Sequence, residues 1–470
     1  MDKHYINVIM KNPVKIFLIF GLALLSIISC SEKKEVFKLA PAKEITKSFS
    51  PKKTASKEIV EAVKKDHINL VRKLLEGGED ANGITSGYFR GGREKSASDR
   101  SNEDWTLLMH AAFQHNIKMV KLLLSKKADI NAVNAAGHSA LFLACANRSE
   151  EMAKFLLQNN ADVKNAGLDE SGTSALQWAL TYGWNEVAAK MIQLGADLNT
   201  RSSETGTTVL LEAMDEESIK PETIHLLIDS GADVSIVNSK YKTSPLMISA
   251  QRNDLISVKK IIAKKVNINQ EDENGNTALC YASGNDADDT EILKLLINAG
   301  AKVNIKNGYG RNALIEAVSS KSLNKVNFLL KNGALINRRS EGFGGVSPIS
   351  VAAFDVNLEM VQLLIDNGAD VSITDSTGDT VLLKAILSEK SYDIVKLLIK
   401  NGADVNKANN DKGTPLMKAA QYNLPEIVKL LLDSGAKNEG RDFFGKTALN
   451  YAEETAERTG DKQALNLLRN

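Results

Sequence analysis

At 470 residues the chain is longer than one compact core usually spans, so several domains or an elongated array are expected. Its 43% hydrophobic and 25% charged residues belong to a folded soluble protein rather than a disordered or fibrous one. With 59 basic against 58 acidic residues the net charge is +1, which argues against electrostatic capture of nucleic acid.

The chain starts with Lys3, Lys11 and Lys15 ahead of an apolar run from Ile16 to Ile28 that ends at Ser29-Cys30. A basic start and a short apolar stretch have the pattern of an export signal. The run falls short of the ~20 residues that span a bilayer. Ile27-Ile28-Ser29-Cys30 resembles the lipobox of bacterial lipoproteins. That resemblance implies cleavage before Cys30 and a diacylglyceryl thioether on its sulfur, usually with a third acyl chain (palmitate or a similar fatty acid) on the new amino terminus. Two or more acyl chains anchor a protein stably. Removing residues 1–29 takes away one aspartate and three lysines, leaving a formal charge of −1. Residues 30–56 then read as a lysine-rich, aperiodic tether with a mean reach of roughly 25–30 Å. Ser31 after the lipidated cysteine is similar to the sorting signal of lipoproteins sent to the outer membrane.

From there one apolar residue recurs every 33 to 36 positions: Leu108, Leu141, Leu176, Leu210, Leu246, Leu279, Leu314, Ile349, Leu382, Leu416 and Leu449. A fixed period of this length marks stacked supersecondary units. Residues 410–439 show the unit. Thr414 caps a short helix that has Pro415 in its first position, and Asn423 sits at the reversal, where φ > 0 is favoured. Pro425 starts a second helix with a broad stripe of Ile427, Val428, Leu430, Leu431 and Leu432, ended by Gly435. Thr414-Pro415-Leu416 with Ala419-Ala420, and the recurring loop in Val395–Asn406 (VKLLIKNGADVN) and Val361–Ser372 (VQLLIDNGADVS), resemble the ankyrin repeat. The resemblance implies an all-α fold, an ankyrin-repeat solenoid of stacked helix-turn-helix units with projecting β-turn loops. Its divisions are a signal peptide at 1–29, the tether at 30–56 and a partial unit at 57–82. An insertion at 83–101, ten repeats at 102–440 and a closing repeat at 441–470 follow.

The chain departs from the family pattern in three places. The family's histidine after Thr-Pro-Leu is absent from every unit, so the junctions are expected to rely on apolar packing. Lys264-Lys265-Val266-Asn267 stands where Gly-Ala-Asp is usual, so that loop is expected to be distorted. The insertion, rich in glycine and charge, is either a loop on the binding rim or a disordered excursion, and its composition favours disorder.

No active site assembles from the motifs. Gly308-Tyr309-Gly310-Arg311-Asn312-Ala313 has the GxGxxA form, but the register puts it in an inter-repeat turn rather than a βαβ unit. The histidines show no metal spacing, and no CxxC, GxxxxGK[ST] or GxSxG occurs. Cys145 and Cys280 lie four repeats apart, beyond the ~7 Å reach of a disulfide, so both read as free buried thiols. The reading therefore expects no enzyme, no cofactor and no metal.

Ankyrin stacks present their turns and the exposed side of each first helix in a concave groove. Counted from each ladder residue, the presented positions lie six, five and three before it and five and six after it. They select Trp105, Phe113, His138, Tyr182, Tyr241, Arg252, Tyr309, Arg311, Phe343, Phe354, Tyr422, Phe443 and Phe444. Ten of the chain's 25 aromatics fall there, the composition of an interface hot spot. Some, such as Phe354 and Phe443, are expected to tuck sideways into neighbouring repeats. Trp178, Tyr281 and Tyr451, two after a ladder residue, are expected in the core. The resulting expectation is a monomer, anchored to a bacterial envelope by its N-terminal lipid, that binds a protein and not nucleic acid. It acts as a periplasmic adaptor or, displayed on the surface, as a ligand for host or neighbouring-cell proteins; an unrecognised enzyme is the remaining reading.

Overall fold

A computed structural model of the chain describes residues 53–85, 105–134, 136–164, 167–169, 171–203, 206–340, 343–386 and 389–469. The expected signal, Cys30, nearly all of the tether and residues 86–101 of the insertion lie outside them. Lys52–Asn470 forms one compact unit. Among the described residues it holds twelve pairs of α-helices and isolated β-bridges but no strand, an all-α solenoid of helix-turn-helix units. The pairs are numbered here as units one to twelve, from Lys57–Lys64 with Ile68–Glu76 to Ala448–Thr459 with Gln463–Arg469.

Each unit repeats one local solution. Two residues before the ladder position, a serine, threonine or asparagine accepts a hydrogen bond from the backbone N–H three residues on, as Thr106, Ser174, Asn312 and Thr447 do. Such a cap is worth ~1 kcal/mol of helix stability. The ladder residue that follows is buried between neighbouring units; Leu108, Leu210, Leu314, Ile349 and Leu382 are at most 1% exposed. Leu449 is half-buried, since unit twelve has a neighbour on one side only. A left-handed residue then reverses the chain into the second helix: Asp66, His115, Arg148, Asn253, Lys321, Val356 and Asn423, with φ between 52° and 62°.

The loop after each second helix turns on a left-handed residue as well, glycine in most units. The Lys264-Lys265 loop keeps the left-handed turn but, among the described residues, has no bond from Val266 to match those that Ala301 N–H makes to Leu296 and Ala334 N–H to Leu329 in the following units. Lys265 takes φ 58° itself, and bonds from its N–H to Ile262 and from Lys264 to Ile261 close the turn.

The expectation that junctions rest on apolar packing is incomplete. An asparagine ends the loop of most units and binds the loop of the next. Asn304 accepts from the Leu335 N–H at 3.0 Å and donates to the Gly333 carbonyl at 2.9 Å. Asn337 does the same with Asp370 and Gly368, and Asn406 with Lys437 and Gly435. Asn82, Asn131, Asn199 and Asn269 each accept from the equivalent N–H of the following unit. Side-chain amides bridging neighbouring backbones thus supply the polar tie that the missing histidine leaves open.

Candidate partner-binding face

The face to be built is the one carrying the projecting turns and the free side of the first helices. In most units an aspartate or asparagine holds the turn open toward solvent by accepting two backbone N–H groups. Asp272 bonds Asn274 and Asn276, Asn307 bonds Tyr309 and Arg311, and Asp442 bonds Phe444 and Lys446, all at 2.8–3.0 Å. Adjacent turns join through bonds such as Gly308 N–H to the Asn274 carbonyl at 2.6 Å and Phe443 N–H to the Asp411 carbonyl at 3.0 Å. The GxGxxA stretch is one of these turns, leading into the seven-residue helix Ala313–Ser319.

The positions six and five before the ladder residue, and five and six after it, largely present their side chains. Phe113 is 41% exposed, Tyr241 37%, Phe354 56%, Tyr422 50%, Phe443 63% and Phe444 82%. Phe354 and Phe443 therefore stand in solvent rather than tucking into neighbours. The Lys240 ammonium lies 4.7 Å from the Tyr241 ring centre and that of Lys412 5.2 Å from Phe443. Arg252 is exposed, with Nη1 donating to the Met214 carbonyl. Tyr309 is half-buried, its hydroxyl 3.5 Å from Asn274 Oδ1. Phe343 begins the short turn Phe343–Gly345, and its side chain lies outside the described residues.

Positions three before the ladder correct the sequence reading. Trp105 is only 6% exposed and belongs to the core. Its ring packs 5.1 Å from His110 and edge-on to Phe113 at 5.2 Å. His138 is half-buried, stacked on Phe142 at 4.3 Å with Nε2 2.8 Å from the Leu168 carbonyl. Arg311 is half-buried, forked onto Glu316 at 2.7 and 3.2 Å. The reason is geometric: a residue just ahead of the N-cap folds back over the helix it precedes and meets the side chain five positions on. Trp105–His110, Arg311–Glu316, Asp379–Lys384 at 3.1 Å and Lys446–Tyr451 at 5.2 Å all follow this rule.

Positions two after the ladder are corrected in the opposite sense. Trp178, Tyr281 and Tyr451 are half-buried, packed against the core from this face rather than enclosed in it. The Tyr281 hydroxyl donates to Asp272 at 2.7 Å and that of Tyr451 to Asp442 at 2.5 Å. Burial first, then the aspartate, pushes the Tyr451 phenol up to about 12. The same column holds His110, Glu212, Lys384 and Lys418. Burial, helped by the nearby Lys64 charge, lowers His110 to about 4, and its Nε2 lies 3.2 Å from Thr85 Oγ1. Burial raises the Glu212 carboxyl despite hydrogen bonds from Thr181 and Gln177. Burial lowers the Lys418 ammonium, which donates to the Leu383 carbonyl at 2.6 Å.

The structure brings few of the thirteen residues together. Tyr182 is the centre of the densest group, stacked on Trp178 at 5.6 Å, tilted against Trp184 at 5.2 Å and covered by the Arg148 guanidinium at 5.0 Å. Trp178 and Trp184 were not among the residues the sequence selected. The others lie along successive units as a stripe. Among the described residues no group of His, Cys, Asp or Glu is suited to a metal, and no helix is long and apolar enough to cross a membrane. Cys145 and Cys280 are free and buried, and burial holds the Cys145 thiol up at about 12, which makes it inert.

A stack of helix pairs with a continuous interior and aromatic residues presented along its turns defines a repeat module built for binding. Residues 59–167, 246–340 and 341–409 match the family model described as ankyrin repeats (3 copies), and 398–452 match ankyrin repeats (many copies). The chain belongs to the ankyrin-repeat family, an interaction module. Ankyrin repeat and KH domain-containing protein mask-1 of Caenorhabditis elegans is 26% identical over 66% of this chain and 11% of its own length. A putative ankyrin repeat protein of Rickettsia felis is 32% identical over 29% of this chain and 45% of its own. The crystal structure of the human ASB11 ankyrin repeat domain is 31% identical, covers 48% of this chain and 98% of that one, and superposes with a TM-score of 0.43. The chain spans 11% of mask-1 and 20% of the E3 ubiquitin-protein ligase KEG of Arabidopsis thaliana, which is 25% identical.

Proposed function

We propose that this chain is a scaffold or adaptor of a bacterial cell envelope, held to the membrane by acyl chains on Cys30 and gripping a protein partner across its concave ankyrin face. The observation that carries the partner site is the exposure of five aromatic rings, Tyr241, Phe354, Tyr422, Phe443 and Phe444, on the turns and first helices. Rigid aromatic rings left in solvent cost free energy unless a partner covers them, and they are the usual anchors of an interface. The basic start, the short apolar run and Ile27-Ile28-Ser29-Cys30 support the anchor. The protein has no catalytic part in this reading; it brings its partner to a membrane surface.

Two measurements test it. Metabolic labelling with a radioactive fatty acid should mark the native chain and leave Cys30→Ser unlabelled and soluble; labelling that persists in the variant sinks the anchor. Protease applied to intact cells should leave the stack whole if it faces the periplasm, whereas digestion would establish display at the surface.

A further inference from the structure

Four junctions lack an asparagine at this position, where Lys164, Ser235, Ser372 and Glu439 end the loops of units three, five, nine and eleven; in the last, the preceding Asn438 donates to the Leu468 carbonyl at 3.0 Å instead. Ser235 and Ser372 turn inward instead, each donating to the aspartate of its own loop at 2.6 Å. At the first two of these junctions, ion pairs link the second helices: Lys154–Glu186 at 2.9 Å, and His225–Asp254 at 3.2 Å with Lys260–Asp229 at 2.6 Å. Between units nine and ten, among the described residues, no such pair is present. A groove of about 680 Å³ lies there, across the second helices of units eight to ten, between Leu323, Leu358, Leu363 and Leu397. Leu358 is 41% exposed in it. The first helix of unit ten, Val381–Ala385, has five residues, against seven in unit nine (Pro348–Phe354) and unit eleven (Pro415–Gln421). The first helices of the two units pack on each other through Ile349 and Leu382, both 0% exposed, and among the described residues the hydrogen bonds across this junction lie on the turn edge: Ser376 N–H donates to the Gly344 carbonyl at 2.9 Å and Arg339 Nη1 to the Thr374 carbonyl at 2.7 Å.

We propose that the stack has a hinge between units nine and ten, with the turn edge as pivot and the loop edge and second helices as the side that opens. Units ten to twelve then move as one block, and Tyr422, Phe443 and Phe444 move with it relative to Tyr241 and Phe354. In a repeat array each unit is stabilised only through its neighbours, so a junction poor in bonds separates cooperative blocks. The hinge does not depend on what the face binds.

Hydrogen exchange of the full chain, read by mass spectrometry, tests it. Amides of 375–469 should exchange as a block, at least ~tenfold faster than those of 272–372, with a step between 372 and 381. Ser372→Asn offers the Asp404 N–H and Gly402 carbonyl the partner that Asn337 gives Asp370 and Gly368, and should slow the block severalfold. Asn337→Ser should create a second step one unit earlier. Protection that runs level through 372–381 in the native chain overturns the proposal, with no variant needed. So does a step that Ser372→Asn leaves unchanged.

Discussion

The loop edge and the turn face of this stack use the same residue types to opposite ends. Along the loop edge, Asn304, Asn337 and Asn406 spend their amides on the neighbouring unit, and little polar capacity is left for anything else. Along the turn face, Asn238, Asp272 and Asp442 accept from backbone N–H groups of their own turns, which stiffens those turns and leaves Tyr241, Phe443 and Phe444 exposed. Side-chain amides tie the units along the loop edge, whereas the turn edge joins through backbone bonds and presents its rings, so substitutions of side chains on the two edges should separate stability from binding.

The largest effect should come from the interior that both edges share. Leu314→Ala removes a side chain that is 0% exposed and should cost ~3 kcal/mol in urea unfolding, whereas Leu449→Ala in the half-covered last unit should cost less than half of that. Next comes acid. The unfolded chain's histidine titrates near 6.5 and native His110 near 4, so between those values the unfolded state binds the extra proton. Stability should therefore fall as pH drops from about 6.5 to 4, by on the order of 3 kcal/mol, with no further loss from this group below that. In His110→Gln that part of the pH dependence should vanish from a melting series.

On the loop edge itself, Asn304→Ala strips a partner from Leu335 N–H and Gly333 C=O and should cost ~1 kcal/mol while leaving partner capture intact. If capture falls with it, the two edges are coupled and the separation fails. A smaller change of opposite sign is expected from Lys265→Gly, which puts glycine where φ is 58° and should raise stability by ~0.5 kcal/mol in the same assay.

The ladder made the all-α repeat fold legible, because a residue that must be buried in every unit is chosen from a narrow set. The caps were legible too: Thr414 and Asn423 do in the structure what their types suggest. The asparagine tie was visible as the last residue of Gly-Ala-Asp-Val-Asn, but its partner lies 29 to 34 positions away, or 47 for Asn82, and only the stacking brings them together. The column two after the ladder misled for a different reason. Trp178, Tyr281 and Tyr451 are large and apolar in bulk, and burial seemed their natural fate. Yet the equivalent places hold Glu212, Lys384 and Lys418, and a core position does not alternate between acid, base and indole. The five-residue pairing of Arg311 with Glu316 and of Asp379 with Lys384 was a local signal of the same thing.

The most direct test of a face separate from the framework compares the native chain with the triple variant Tyr241→Ala, Phe443→Ala, Phe444→Ala in a pull-down from crosslinked cells. The native chain should recover a discrete protein partner that the variant loses, while the two proteins melt within a degree or two of each other, as surface substitutions usually do. An unchanged set of captured proteins, or a variant that melts early, would contradict a presented aromatic face.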